Sequence, residues 1–227
     1  MNIKPWFRKL SAVVLTIVLS WTIFSLPANA FVGDLVQSLN KQKLLTTNEC
    51  NYCDLSGEDL SGEDLYGSAL IKANLSGADL SDTLLNEAKL MGANLTGSDL
   101  SRSSLLGVRL NNANLTNADL SNAQLNNAEM SETVLLGATL TGAELEGALV
   151  FESNLSDAIA EGTNFYNAYL SDSDLSNANF FNARMENVQL SGATLTHTNF
   201  TAADLFRATM PNDTTYNGDV SQFGAYD

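Results

Sequence analysis

Apolar and polar positions repeat along this chain with a period of five. From Leu55 every fifth residue is apolar: Leu60, Leu65, Leu70, Leu75, Leu80, and onward to Leu205 and Met210. The 32 positions of this register hold 24 Leu, three Met (Met130, Met185, Met210), three Phe (Phe165, Phe180, Phe200), Val150 and Ala160. Two residues earlier stands a small residue, as at Ala73, Ala78, Ala113 and Ala118. Two residues later Gly or Asn is common, as at Gly77, Gly97, Asn117 and Asn122. This period fits neither a helix nor a strand. On a helix, successive leucines would turn by about 500°, or roughly 140° net, and scatter around the surface. They share one environment only if the chain turns a corner in every unit. Four such sides close a square coil of roughly 20 residues, the range of solenoid repeats. Coils then stack at roughly 4.8 Å, with leucines on the axis and small residues letting the walls approach. Gly and Asn suit the corners because both tolerate unusual backbone angles. The expected class is all-β, a stack of about eight square coils roughly 38 Å long.

The flanks follow other patterns. Lys4, Arg8 and Lys9 precede an apolar run from Leu10 to Phe24, and Leu26-Pro27-Ala28-Asn29-Ala30 ends in small residues spaced A-x-A. Residues 1–30 therefore read as a secretory signal peptide, too short in its apolar run for a membrane span. No Cys follows the run, which argues against a lipid anchor. In residues 31–52, Phe31 to Lys43 read as an amphipathic helix with Val32, Leu35, Val36 and Leu39 on one stripe, expected to cover the open first coil. Residues 53–210 are the repeat. In 211–227, Pro211-Asn212-Asp213 marks a turn into a tail short enough to fold over the last coil.

Charge narrows the function. The formal net charge is −15, and cleavage after Ala30 removes three basic residues and no acidic one, giving −18. Such a surface repels nucleic acid and anionic lipid. No membrane association is expected once the signal is removed.

Cys50 and Cys53 are the only cysteines. In an exported chain a C-x-x-C reads first as a structural pair, a disulfide or two side chains packed inward. A redox pair and half a zinc site are the alternatives, although the only His is His197, far along the chain. Glu58 and Glu63 occupy the inward small-residue position, where a carboxylate needs a hydrogen bond or solvent. A role at the rod end accounts for them, with a metal site as the alternative. Ala160 followed by Phe165 reads as volume compensation, and Phe180 and Phe200 should stack above Ala160.

The runs "ANLSGADL", "GANLTGSDL" and "NNANLTNADLSNAQL" resemble the pentapeptide-repeat family, over about 70 per cent of the chain. The resemblance implies a right-handed quadrilateral β-helix. "LLTTNECNYCDLSGEDL" is similar to the opening segment of lumenal and periplasmic members from photosynthetic bacteria, and "ATMPNDTTYNG" resembles the family's closing segment. A thylakoid lumen or periplasm is the implied address. Some acidic members are understood to mimic duplex DNA and bind type II topoisomerases. The signal peptide sets this chain apart from them, because that target would lie across a membrane.

Residues twenty apart should form vertical columns. Asp59, Asp79, Asp99 and Asp119 form one, with carboxylates about 5 Å apart that would raise one another's pKa and offer oxygens to a divalent cation. Asn74, Asn94 and Asn114 form an amide ladder, and Lys89, Arg109 and Glu129 a surface ion-pair column. No nucleophile–base pair, phosphate loop or cofactor motif is evident, so no enzymatic activity and no cofactor are expected. The outward apolar residues Leu149, Phe151, Tyr166 and Tyr169 should gather on one wall and its edge. Exposed apolar clusters mark interaction sites. The sequence thus reads as a non-enzymatic exported scaffold with a protein partner, the DNA mimic and the cation-binding module being its rivals. Contact with the folded-back tail is the alternative for the aromatic cluster.

Overall fold

The computed structural model describes residues 28–226. The signal-peptide reading therefore lies outside the described residues except for its last three, which open a helix. Among the described residues no helix is long and apolar enough to cross a membrane.

One repeat explains the rest. The Ala78 N–H donates to the Leu75 carbonyl at 3.1 Å, closing a turn. Gly77, its third residue, has φ 65°, as a type II turn requires. The same position has positive φ in every unit from Gly57 to Arg207. Asn is the commonest residue there after Gly, yet Lys72, Glu87 and Ala202 hold the same left-handed angle. The axial and bridging N–H groups then bond along the rod. Leu75 N donates to Asn94 O at 2.7 Å, and Asn94 N to Ala73 O at 2.9 Å.

These bonds pair each bridging residue in parallel with the one 20 positions on, as in Asn74 with Asn94 and Gln189 with Thr209. Four walls result. Wall A runs through Lys89, Arg109, Glu129, Leu149 and Tyr169; wall B through Asn74, Asn94 and Asn114. Wall C runs through Asp59, Asp79, Asp99 and Asp119; wall D through Leu84, Ser104 and Gln124. The all-β expectation needs narrowing here. Each wall is a stack of single bridged residues between turns, because a corner in every unit leaves no room for a longer strand.

The axial residues are fully buried from Leu55 to Met210. The Phe180 and Phe200 rings stack with centroids 5.5 Å apart, and Phe165 packs on Phe180 at 5.6 Å. Ala160 lies in the same column, so the larger rings fill the volume it leaves. Three polar residues at the small position, Thr83, Ser98 and Ser103, bond locally: the Thr83 hydroxyl donates to Leu80 O at 2.6 Å.

Helix α1 spans Ala28–Thr47, longer at both ends than the sequence pattern implies. It stops at Asn48, whose φ of 58° is left-handed and whose N–H donates to Leu44 O at 2.8 Å. Its docking face is the reverse of the expected one. Gln37 Nε2 donates to Ser56 O and Oγ, Asn40 Nδ2 to Asp54 O, and Lys41 Nζ to Asp59 O. Leu44 is buried beside them, while Leu35, Val36 and Leu39 are exposed. The physical reason lies in the first coil. Its outer edge presents backbone carbonyls with no coil beneath them, and these need donors more than they need apolar cover.

The tail closes the other end. Tyr226 pairs in parallel with Asn199, and Thr215 antiparallel with Thr209. Val220 and Ala225 are buried, with Tyr216 and Phe223 packed against the core.

Candidate interaction surface

Leu149 and Tyr169 are bridged neighbours on wall A. Phe151 stands at the corner that leads from wall A to wall B, and its ring lies 5.6 Å from that of Tyr169 at an interplanar angle of 44°. Tyr166 stands at the opposite corner of wall A. Its ring is covered by the Arg184 guanidinium, 4.3 Å from the centroid. Arg184 is fixed in turn by Glu186, Nε to Oε2 at 2.6 Å, which raises the already high pKa of its guanidinium through that hydrogen bond. The structure thus brings the four residues to one wall in two groups, Leu149–Phe151–Tyr169 and Tyr166–Arg184. Tyr169 is 42 % exposed. The tail lies elsewhere: its backbone hydrogen bonds to the rod fall on residues 192–210.

The corner that carries Phe151 is braced in a way the repeat pattern does not reveal. Ser153 Oγ donates to Met130 O at 2.8 Å and receives the Thr133 N–H at 3.1 Å. Ser173 Oγ donates to Val150 O at 2.7 Å and receives the Ser153 N–H at 3.1 Å. Two buried hydroxyls therefore replace alanines inside this corner and tie successive coils together. The signal in the sequence is the vertical run Thr133, Ser153, Ser173 at a position where Ala is the rule. The outward face of the same corner is acidic, with Glu132, Glu152 and Asp172 in one exposed column.

The Asp column stands on wall C, each Asp bridged to the next. Its carboxylates are turned to their own corners rather than to one another. Asp59 Oδ1 accepts from Ser61 N and Oγ, and Asp79 Oδ1 from Ser81 N and Oγ. Asp99 and Asp119 accept from Ser101 N and Ser121 N, both at 2.8 Å. The Ser61 hydroxyl and N–H lower the pKa of Asp59 instead of raising it. Arg102 grips Asp82 with two bonds of 3.0 and 2.8 Å and also feels Asp99 and Asp119. Among the described residues no group of three or more His, Cys, Asp or Glu is arranged to hold a metal ion.

At the head of the rod Cys50 and Cys53 are joined by a disulfide, both buried. Glu58 faces Lys41 of α1 at 3.9 Å, and Glu63 is half-buried on the next side of the coil. In the ladders, Asn94 Nδ2 donates to Asn74 Oδ1 at 3.0 Å, and Arg109 meets Glu129 at 3.1 Å. His197 is exposed at a corner with φ 59°.

The family model for pentapeptide repeats matches the chain in eight copies between residues 49 and 212. The chain belongs to the pentapeptide repeat family. Proteins of this family fold as right-handed quadrilateral β-helices, in keeping with the 20-residue bridge register. Among solved structures the chain is similar to HetL of the cyanobacterium Nostoc, a pentapeptide repeat protein involved in heterocyst differentiation regulation. Identity is 27 %, over 78 % of this chain and 98 % of that one, with a TM-score of 0.36. It is also similar to QnrB1, a plasmid-mediated fluoroquinolone resistance protein, at 20 % identity over 68 % and 90 % with a TM-score of 0.42. A third is a pentapeptide repeat protein of the Arabidopsis thaliana thylakoid lumen, at 27 % over 51 % and 70 % with a TM-score of 0.26. Comparison with curated proteins finds no significant match.

Proposed function

We propose that this pentapeptide repeat protein is a non-catalytic scaffold, a rod of about eight coils that binds another protein through wall A. The observation that carries this reading is the Phe151–Tyr169 pair, Tyr169 exposed and Phe151 half-buried, on a rigid, braced corner. An aromatic side chain held on a stiff backbone loses little entropy on binding and buries a large area. The Ser and Asp residues are occupied with turn chemistry: Ser61 Oγ donates to Asp59, and Ser81 Oγ to Asp79. Neither Ser is thereby poised as a nucleophile.

We also propose export to a thylakoid lumen or periplasm. The basic start, apolar run and A-x-A site support it, and a disulfide between Cys50 and Cys53 suits an oxidising compartment. N-terminal sequencing of the native protein should find Phe31; finding Met1 would overturn the export reading. For the scaffold, Phe151→Ser with Tyr169→Ser should leave the melting curve close to wild type and abolish co-purification of the partner from the native compartment. A variant that loses many degrees of melting temperature and keeps its partner would make the pair structural.

A further inference from the structure

We propose that the wall A surface takes a cationic polypeptide segment, with arginine or lysine side chains lying over the Phe151–Tyr169 pair and meeting Glu152 and Asp172. This rests on the scaffold reading above and gives its partner a chemistry. The molecule supplies its own template one corner away. There the Arg184 guanidinium sits 4.3 Å above the Tyr166 ring while its Nε holds Glu186 at 2.6 Å. A ring below and a carboxylate beside is what a guanidinium binds by stacking and charge together. The Phe151 corner has the same two components. Rings stand at Phe151 and Tyr169, Glu152 is next in the chain to Phe151, and Asp172 follows one coil on in the same corner column.

The cation is what differs. Among the described residues no Lys or Arg forms an ion pair with Glu132, Glu152 or Asp172, whereas Asp82, Glu129 and Glu186 each have an arginine. The chain as a whole carries −15, so a basic segment is also drawn to the rod from a distance. The column's geometry favours a polypeptide over a single small cation. Three carboxylates one coil apart span roughly 10 Å along the axis. Same-side residues of an extended chain are about 6.8 Å apart, so two basic residues at alternate positions fit along it.

The test is fluorescence anisotropy of the full chain with a labelled ten-residue peptide, arginine at alternate positions with serine and leucine between, at physiological salt. F151S/Y169S and E152Q/D172N should each weaken binding at least tenfold. A wall C control, D79N/D99N, removes the same charge as E152Q/D172N and should change binding less than twofold. E152Q/D172N leaves the rings in place, so it tests the site even if F151S/Y169S perturbs the corner. Equal weakening by the wall C control, or no weakening by either wall A variant, overturns the proposal and leaves only diffuse attraction to an acidic rod. If peptide binding is not localised but F151S/Y169S still loses the native partner, the scaffold reading stands and the basic character of its partner falls. If the partner is retained as well, both fall.

Discussion

The two ends of the rod are closed by opposite means. At the head, helix α1 lies across the first coil and gives side-chain donors, Gln37, Asn40 and Lys41, to carbonyls that have no coil beneath them. Leu44 goes into the core, while Leu35, Val36 and Leu39 face out. At the foot, the tail continues the rod's own chemistry. Its backbone pairs with the last coil, as in Phe200 N to Tyr226 O at 2.8 Å, and Val220 is buried over the axis. A helix satisfies its own backbone, so only its side chains can cap a coil. An irregular tail can offer main-chain groups and therefore extends the ladder. The coil edge dictates the need, and the secondary structure of the cap decides which groups meet it.

The contrast can be broken from the middle outward. Leu115→Asp places an unpaired charge on the shared axis and should remove most of the rod's stability, read as loss of the cooperative melt by circular dichroism. A melt like wild type would mean that position is not on the axis. Leu44→Ala empties a buried apolar anchor of α1 and should cost about 3 kcal/mol, appearing as helix release in hydrogen exchange while the foot stays protected. Val220→Ala removes two methyl groups at the foot for about 1.6 kcal/mol, leaving α1 untouched.

Acid should loosen both ends at once. Hydrogen bonds from the Ser56 hydroxyl at the head and the Ser221 hydroxyl at the foot hold the Asp54 and Asp219 carboxyls below their usual pKa. Depressed values contribute stability that is present above the ordinary carboxylate range and lost as pH falls through the folded values. NMR amide signals of both ends should therefore shift below about pH 4. Asp54→Asn should reduce the response at the head, where Asp59 is also held low, and Asp219→Asn should remove that at the foot. Least of all, Leu35→Ser with Leu39→Ser should change stability by under about 0.5 kcal/mol, because neither side chain is buried. A loss of several kcal/mol would return the apolar stripe to the docked face.

The repeat was legible because one period sets everything inside it. Leucine every fifth residue names the axis, and Gly and Asn two places on mark corners that need a left-handed angle. Even Lys72 and Glu87 adopt that angle, since their neighbours impose it. The candidate surface was legible in part. Period and column placed Leu149, Phe151 and Tyr169 on one side, but the cation over Tyr166 and the hydroxyls inside the Phe151 corner come from residues twenty or so positions away. Nothing local in the sequence pairs them.

By itself, then, the sequence determined the axis, the corners, the 20-residue register and the acidic surface, all of which follow from local periodicity and composition. Tertiary structure alone decided which face of α1 docks, where each carboxylate turns, and which aromatic ring is already occupied. An amphipathic pattern shows that a helix has two faces. Which one is buried depends on what the surface beneath it lacks, and here that surface lacked hydrogen-bond donors.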